Sequence, residues 1–385
     1  MLIVSTCSFN NNKQIFNKDS SEFVIQSDCV PLSNQGDADI NIQGVVWYKE
    51  DSILHSGDFG LKFIGNSKKD TGVLPVTPVQ MIVSPNGKVA LFDGYDSGTD
   101  FLNWQVYELS KREHKKTEIK WQWNSPVWTK NNLILGTSWS DEHGDEHGIV
   151  TVTTTDLETS VSQQITFTDF QMSIEPAAQI ARNGILTYMW YRNFDGPRLV
   201  VYDTKTNKEV ARYKDITYQI RPSCYGYLLN PEGTRILSIS SLAGEKYDGY
   251  QQELFGVEIG KEPIQITDFH SKYPNTLIYH IDEKNWSPDN RWIIIHVITS
   301  ETRDIDEITD PSTLFLIDMQ RNIAYQFCQV IHSLDYQSIT WSPDSKYFAL
   351  ALNDKIWVVN PKTLESHLLV ERPKIPLTVL GWTMP

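Results

Sequence analysis

A short turn sequence recurs along this chain and limits the folds that it can adopt. Two copies are nearly identical, at residues 286–291 (WSPDNR) and 341–346 (WSPDSK), and weaker copies lie at 84–88 (SPNGK) and 230–234 (NPEGT). In such a sequence proline presets φ for a turn, Asp or Asn bonds the nearby backbone, and Gly or Asn accepts a positive φ. Each copy therefore predicts a tight turn between two β-strands.

Strand-like runs surround each turn. Residues 292–298 (WIIIHVI) follow the first copy, and residues 347–352 (YFALAL) follow the second. Alternating hairpins with polar turns also occur, such as RLVVYDTKTNKEVARY at residues 198–213. Hairpins that repeat at a period of roughly 40–55 residues are typical of a β-propeller. The sequence therefore predicts an all-β fold, a single closed β-propeller domain over residues 1–385, in which each blade has four strands, named A to D here.

The number of blades follows from the predicted ends of the A strands. These are Trp47, Val83, Trp128, Ile180, Leu229, Trp286 and Trp341. The C-terminal run 377–382 (LTVLGW) is predicted to be a further A strand. Residues 2–7 (LIVSTC) are predicted to be a B strand with no A strand before it. Pairing Trp382 with LIVSTC predicts that the C-terminal strand completes the N-terminal blade and removes a free sheet edge. This arrangement has eight four-stranded blades. Seven is the alternative, if the N-terminal segment is irregular or if the short step from Trp47 to Val83 is not a full blade.

The W-S-P-D-x-K/R turn followed by an alternating hairpin resembles the TolB-like repeat, a relative of the WD-type propeller repeat. It also resembles the propeller domain of prolyl oligopeptidase-type peptidases. The resemblance implies the fold and no activity, because the shared motif is a turn. Those peptidases carry a G-x-S-x-G nucleophile elbow, whereas residues 136–140 (GTSWS) lack the second glycine. Peptidase activity is therefore not expected.

Charge narrows the range of partners. The net charge of −14 argues against nucleic acid and anionic membranes, since both bind through clusters of Lys and Arg. The charge is compatible with a cationic ligand or a metal ion. No apolar run approaches the roughly 18 residues that span a bilayer. The start MLIVSTCSFNNNKQ lacks the basic region of a secretion signal, so we expect a soluble, acidic, cytoplasmic monomer.

The four cysteines, Cys7, Cys29, Cys224 and Cys328, show no metal-type spacing. Buried free thiols in a reducing compartment are expected in preference to a disulfide framework. Cys7 with Cys29 is the pair left open.

Acidic loops mark the candidate functional face. Because strands in a blade alternate in direction, the B–C and D–A connections of all blades share one face. The predicted B–C loops are residues 95–100, 140–148, 191–197, 244–250 and 300–310. Carboxylates and aromatic residues dominate these loops. They are either solvated turns that keep the protein soluble, or an acidic, aromatic mouth that binds a cation, a sugar or a basic peptide.

The segment 141–148 (DEHGDEHG) is the most unusual of these loops. Imidazole and carboxylate side chains bind Zn²⁺ and other divalent metal ions, so Asp141, His143, Asp145 and His147 are candidate ligands. Their spacing matches no established metal motif, and a solvated loop is the alternative. No other cofactor is predicted.

Further polar and aromatic residues lie in or beside the predicted loops and near the central channel. The candidate ligand-binding residues are Trp121, Tyr191, Asp195, Arg221, Tyr225, Tyr247, Asp248, Tyr279, His280 and Asp282. His280 and Asp282 could form a general acid/base pair, or they could bond the backbone of neighbouring blades. His296, inside the apolar run IIIHV, is predicted to be a core histidine with its hydrogen bonds satisfied.

Two functions from different classes fit these features. The first is a non-catalytic scaffold that presents its loop-bearing face to a protein, peptide or glycan partner. The second is a metal-assisted lyase or hydrolase acting on a carbohydrate or small molecule, since oligogalacturonate lyases resemble the chain in length and propeller class. The first is preferred because the sequence shows no recognised catalytic constellation.

Overall fold

The structure is a computed structural model. It describes residues 23–33, 44–50, 61–64, 71–74, 81–94, 102–108, 113–121, 127–129, 133–140, 147–171, 179–191, 197–213, 227–241, 252–278, 283–300, 311–331 and 337–384. These residues form 29 β-strands and two short 3₁₀ helices, and they contain no α-helix. The predicted all-β class is thereby confirmed.

The strands follow one another along the chain with few interruptions. The first are β1 (Val24–Ile25), β2 (Val45–Glu50), β3 (Leu61–Ile64), β4 (Thr71–Leu74), β5 (Met81–Val83), β6 (Val89–Gly94), β7 (Leu102–Glu108) and β8 (Glu113–Trp121). The next are β9 (Val127–Trp128), β10 (Leu133–Ser140), β11 (His147–Asp156), β12 (Ser162–Gln171), β13 (Gln179–Ile180), β14 (Ile185–Tyr191), β15 (Pro197–Asp203) and β16 (Lys208–Tyr213).

The remaining elements include both 3₁₀ helices, which lie on either side of β21. The strands are β17 (Tyr227–Leu229), β18 (Arg235–Ser241), β19 (Gln252–Glu258), β20 (Ile264–Gln265), β21 (Asn275–Ile278), β22 (Trp292–Ser300), β23 (Ser312–Asp318) and β24 (Ile323–Ile331). The last are β25 (Gln337–Trp341), β26 (Phe348–Leu352), β27 (Lys355–Val359), β28 (Ser366–Glu371) and β29 (Leu377–Thr383). The helices are η1 (Phe269–Ser271) and η2 (Glu283–Asn285).

The described strands pair into seven sheets. Sheet 1 has the order β29-β2-β3-β4, sheets 2 to 5 take the strands from β5 to β20 four at a time, sheet 6 is β21 to β24 with β1 added outside β24, and sheet 7 is β25 to β28. Each sheet contacts the next one along the chain, and sheet 7 contacts sheet 1 through β25 and β29. The sheets therefore form a propeller-like ring with the A strands innermost.

The C-terminal strand closes the ring. β29 runs antiparallel to β2, with Trp382 opposite Val46 and Gly381 opposite Trp47. Completion of an N-terminal sheet by the C-terminal strand is confirmed, but the predicted partner LIVSTC (residues 2–7) lies outside the described residues. The assignment of Trp47 to an A strand is wrong, because β2 is the second strand of its sheet and β29 supplies the first.

This closure bears on the predicted count of eight blades. The short step between Trp47 and Val83 contains three strands, β3, β4 and β5, and not the four of a full blade. An incomplete blade at this step was a condition for a count of seven blades. In the part of the chain that the structure describes, there is no eighth sheet. Val24 and Ile25 add a parallel strand, β1, to the outer edge of sheet 6.

Apolar clusters fill the spaces between neighbouring sheets. Trp292 and Leu316 of sheet 6 pack with Phe348 of sheet 7, and Val358 of sheet 7 packs with Trp382 of sheet 1. Central strands such as β22 are buried on both faces, which is why they read as continuous apolar runs rather than alternating patterns. Burial of each such side chain stabilises the fold by about 1.5–3 kcal/mol.

Sheet 1 lies close against sheet 2 at a glycine of β29. A Cβ atom at Gly381 would lie 3.0 Å from the Met81 sulfur and 3.1 Å from Val83 Cγ2. That spacing is tighter than ordinary van der Waals contact, so β29 can lie against β5 because residue 381 has no side chain.

The cysteines differ from expectation. Cys29 forms a disulfide with Cys328, with 4.9 Å between their Cα atoms and a sequence separation of 299. The expectation of free thiols is therefore wrong for this pair, and Cys29 does not pair with Cys7. The backbone brings the two together, because Val30 bridges Phe327 in parallel register one residue away from each cysteine.

Candidate functional site

The faces of the ring differ in how their connections are built. The face with the A–B and C–D turns is called the turn face, and the face with the B–C and D–A connections is called the loop face. On the turn face, Ser287 Oγ donates to Asp289 Oδ1 at 2.5 Å, and the same carboxylate accepts from the backbone N–H of Arg291 at 3.1 Å. The backbone N–H of Trp292 donates to Ser287 Oγ at 2.9 Å.

The same hydrogen bonds recur in the other copies of the turn. Ser342 Oγ donates to Asp344 Oδ1 at 2.8 Å, and Ser84 Oγ donates to Asn86 Oδ1 at 2.7 Å. The residue after the Asp or Asn has a positive φ in each copy, 59° at Asn290, 58° at Ser345 and 71° at Gly87. The predicted tight-turn geometry is confirmed, and the motif has a structural role.

Turns of neighbouring sheets also bond one another. Asn230 Nδ2 in the sheet 5 turn donates to Asn290 Oδ1 in the sheet 6 turn at 3.0 Å. The backbone N–H of Asp289 donates to Ser345 Oγ in the sheet 7 turn at 3.0 Å. The backbone N–H of Arg182 in the sheet 4 turn donates to the Pro231 carbonyl at 3.0 Å. The turn face from sheet 4 to sheet 7 is therefore a continuous network whose polar groups bond one another.

An ion pair between Arg291 and the buried Asp318 holds the sheet 6 turn in place. The guanidinium of Arg291 donates to both carboxylate oxygens of Asp318, at 3.2 and 2.7 Å, and Asp318 is fully buried. These hydrogen bonds raise the pKa of Arg291. The guanidinium also lies 4.7 Å from the ring centre of Trp292. Both charges of the pair are used within the fold, so neither is available to a ligand.

Side chains also tie the innermost strands together. Gln179 of sheet 4 donates to the Tyr227 carbonyl at 3.0 Å and accepts from the backbone N–H of Leu229 at 2.7 Å. Gln252, on the third strand of sheet 5, accepts from the backbone N–H of Ile278 in the A strand of sheet 6 at 2.8 Å. The Gln179 bonds hold the A strands of sheets 4 and 5 at a fixed spacing, and the Gln252 bond ties sheet 5 to sheet 6, which favours a rigid ring.

The acidic loops leave from the loop face, as the sequence predicted. Each of the five joins the B strand of its sheet to the C strand: β6 to β7, β10 to β11, β14 to β15, β18 to β19, and β22 to β23. Three of the predicted site residues are at strand ends on this face. Trp121 ends β8, Tyr191 ends β14, and His147 begins β11.

The other predicted site residues lie outside the described residues. They are Asp141, His143, Asp145, Asp195, Arg221, Tyr225, Tyr247, Asp248, Tyr279, His280 and Asp282. Across the described ranges, no three His, Cys, Asp or Glu side chains come together as a metal site. These assignments therefore stay predictions.

A buried carboxylate organises one D–A connection, and sequence reasoning missed it. Glu253 is fully buried and accepts hydrogen bonds from Thr267 Oγ1 at 2.5 Å, from the Phe269 N–H at 3.0 Å and from the His270 N–H at 2.8 Å. Burial raises the pKa of this carboxyl. The three bonds anchor η1 in the connection between sheets 5 and 6. The residues around Glu253 in sequence predict a strand, and nothing in them indicates that this carboxylate accepts three hydrogen bonds from a distant connection.

His296 differs from its prediction as a satisfied core histidine. It is buried, but its Nδ1 atom has no hydrogen-bond partner. Burial lowers the pKa of His296 to about 4, so the ring is neutral near pH 7. It lies on β22, between Ile295 and Val297, and the two neighbours face sheet 5.

A shallow pocket of about 370 Å³ also lies on the turn face, between sheets 4 and 5. Asn183, Gly233, Arg235 and Glu258 are among its lining residues. Arg235 pairs with Glu258 at 3.2 Å, and hydrogen bonds from Lys261 and then Arg235 lower the pKa of Glu258. The charged groups of the pocket wall thus bond one another.

Comparisons with known proteins give likenesses in structure. No protein-family model and no curated protein matches the chain. The acylaminoacyl peptidase of Pyrococcus horikoshii has 12% identity and a TM-score of 0.56, over 86% of this chain and 51% of that one. Prolyl oligopeptidase B from Galerina marginata has 13% identity and a TM-score of 0.53, over 87% of this chain and 52% of that one.

TolB from Acinetobacter baumannii has 12% identity and a TM-score of 0.43, over 75% of this chain and 65% of that one. The chain thus spans about half the length of the two peptidases and 65% of TolB. None of the helices in the described ranges has the length and apolar character needed to cross a lipid bilayer. At these identities the likeness to the peptidases shows a common propeller fold.

Proposed function

We propose that the protein is a rigid β-propeller that binds a protein, peptide or glycan through its loop face and catalyses no reaction. The observation that carries this proposal is the difference between the two faces. On the turn face from sheet 4 to sheet 7, short turns bond one another, as Asn230 bonds Asn290. The long acidic and aromatic connections leave from the opposite face. A ring that is held rigid at one face and carries longer connections on the other suits recognition.

The composition of the loops favours a neutral or cationic ligand. Carboxylates on several loops of one rim add their potentials, and the field concentrates where the channel narrows. Screening weakens this field beyond about 8 Å at physiological salt, so the ligand has to reach the rim itself. Within this proposal Tyr191 and Tyr247 stack on the ligand, while Asp195 and Asp248 accept its hydrogen bonds.

We also infer that the seven sheets are the complete set of blades and that the protein is a monomer. The contact between sheets 7 and 1 supports the first point, since it leaves no gap for another sheet. Closure of the ring also covers the inner strand edges, which supports the second.

Fluorescence anisotropy with two labelled probes tests the binding proposal. A tyrosine-containing oligolysine peptide represents the cationic class, and polygalacturonate represents the polyanionic class. We expect the peptide to bind and Asp195→Asn/Asp248→Asn to weaken its binding roughly three- to tenfold, the effect typical of losing two surface ion pairs. The control Glu158→Gln/Glu262→Gln makes the same charge change in C–D turns of the turn face and should bind like the wild type.

Equal losses in both variants, or tighter binding of polygalacturonate than of the peptide, would count against the loop face as a site for cationic ligands. Cleavage of polygalacturonate in the presence of Mn²⁺ would favour the metal-assisted enzyme over the scaffold.

A further inference from the structure

The segment 23–33, called the N-terminal strap here, lies along the outer edge of sheet 6. The backbone N–H of Val24 donates to the Asn322 carbonyl at 2.9 Å, and that of Val30 donates to the Gln326 carbonyl at 2.7 Å. The Cys328 N–H in turn donates to the Val30 carbonyl at 2.9 Å. The strap thus occupies an edge that would otherwise expose unpaired backbone groups.

The strap continues from sheet 6 across sheet 7. Val30 and Leu32 are buried in the cluster between these sheets. The backbone N–H of Ser33 donates to Ser366 Oγ, on the outermost strand of sheet 7, at 3.0 Å. The next described residues lead into β2 of sheet 1. The strap therefore runs from the outer edge of sheet 6 to the outer strand of sheet 7, the sheet that contacts sheet 1 beside the seam between β29 and β2.

That seam is held by non-covalent contacts. β29 pairs with β2 along its length, and Trp47 Nε1 donates to Thr383 Oγ1 at 2.9 Å. If β29 separated from β2, nothing in that pairing would keep sheet 1 beside sheet 7. The Cys29–Cys328 disulfide would still hold sheet 1 near its place, because it joins the chain just before sheet 1 to sheet 6.

We propose that the Cys29–Cys328 disulfide is a second, covalent closure of the ring, so that the stability of the β29–β2 seam depends on redox conditions. The covalent loop that this bond closes encloses sheets 2 to 5 and most of sheets 1 and 6. Tethering raises the effective concentration of sheet 1 at sheet 7, which opposes opening of the seam. This inference is independent of the binding function.

The bond forms by thiol–disulfide exchange with a disulfide oxidant such as oxidised glutathione. The thiolate of one cysteine attacks the oxidant and releases one reduced thiol; the second cysteine thiolate then displaces the other, giving one protein disulfide and two reduced thiols. Cys29 and Cys328 are both exposed, so small thiols and disulfides can reach them. Such bonds persist in oxidising compartments, so under this proposal the protein works in an oxidising compartment rather than in the cytoplasm.

Peptide mapping of protein refolded with oxidised and reduced glutathione tests the pairing. Under non-reducing conditions the Cys29 peptide should be found joined to the Cys328 peptide. A Cys7–Cys29 link, or four thiols open to alkylation in the unfolded chain, would overturn the proposal. Urea unfolding then compares Cys29→Ser/Cys328→Ser with the matched control Cys7→Ser/Cys224→Ser. Removal of the disulfide should raise the unfolding equilibrium constant roughly 30- to 1,000-fold, and the control should change it far less.

Hydrogen exchange distinguishes a disulfide that stabilises the β29–β2 seam from one that only holds the strap against sheet 6. On reduction of the wild type, amides of β1, β2 and β29 should exchange faster, while those of β14 and β18, on the far side of the ring, should not. The same pattern is expected for Cys29→Ser/Cys328→Ser without reductant. Faster exchange confined to the strap, with β2 and β29 unchanged, would overturn the closure proposal.

Discussion

Asn230 in the turn of sheet 5 donates a hydrogen bond of 3.0 Å to Asn290 in the turn of sheet 6. Asn230 also accepts from the backbone N–H groups of Thr234 and Arg235, both at 2.8 Å, so it orders its own turn and the next one. Asn290 has a φ of 59°, which few residues other than glycine tolerate. One residue pair therefore combines local turn geometry with the contact between two sheets.

Substitution of Asn290 should separate these two contributions. Asn290→Gly keeps the positive φ and loses only the amide, so we expect a loss of about 0.5–1.5 kcal/mol in the free energy of unfolding. Asn290→Ala adds backbone strain of about 1–2 kcal/mol. Urea denaturation of both variants checks the order. Equal stabilities would show that φ at this position carries no cost.

The Asp of the Ser-Pro-Asp turn should matter for stability and not for binding. Asp289→Ala or Asp344→Ala removes a carboxylate that accepts from a serine hydroxyl and a backbone N–H. The expected cost is about 0.5–2 kcal/mol, as for a lost helix cap. Thermal unfolding measures the cost, and anisotropy with the oligolysine probe measures binding. Loss of binding at an unchanged melting temperature would show that the turn face carries the function.

Removal of the last eight residues should destabilise the whole domain, because it deletes most of β29 and opens sheet 1. Since Trp382 and Val379 are buried against sheet 7, removing them should destabilise both sheet 1 and sheet 7, and the protein should unfold in a single cooperative transition. Calorimetry of the truncated protein should show a lower melting temperature and a smaller unfolding enthalpy. A melting curve like that of the full chain would contradict closure by the C-terminal strand.

Stability should fall as the pH drops from 6.5 to 4 because of His296. Its pKa in the folded state is about 4 owing to burial, below the ordinary value of 6.5. In this window the unfolded chain binds a proton that the folded chain does not, so acid favours unfolding by up to about 1.4 kcal/mol per pH unit. The contribution is complete above pH 6.5 and is lost as the pH falls toward 4.

The control for this effect is His296→Leu. Between pH 7 and pH 5 the wild type should lose about 2 kcal/mol more than the variant in urea titrations. Glu253, whose pKa is raised by burial, contributes with the opposite sign, but both proteins retain it and its effect cancels. Parallel pH profiles would show that His296 is not the group responsible.

The metal prediction at residues 141–148 has a direct test. Calorimetric titration with Zn²⁺, Mn²⁺ and Ca²⁺ compares the wild type with His143→Ala/His147→Ala, and we expect the variant to lose binding of Zn²⁺ first, because imidazole is a preferred ligand of that ion. His114→Ala/His367→Ala is a control with the same number of imidazoles removed elsewhere. Identical isotherms for the wild type and the loop variant would exclude this loop as a metal site.

Local features were predictable from the sequence because the forces that form them act within a few residues. The Ser-Pro-Asp turns bond within six consecutive residues, and their positive φ at Asn290 follows from the residue types alone. The acidic loops were likewise placed correctly between B and C strands, since each is bounded by its own hairpin. Strand alternation also predicted that these loops share one face, as the strand order shows.

Non-local pairings were decided only by the tertiary structure. Any β-rich strand end can pair with β29, so the sequence could not show that Trp382 lies opposite Val46 in a sheet where β2 is second. Four cysteines allow three connectivities, and the Cys29–Cys328 bond depends on the strap lying along β24. Glu253 was missed because its three donors belong to a connection that only folding brings to it. Turns are settled by a few neighbouring residues, whereas closure and burial are settled by residues hundreds of positions apart that meet when the ring forms.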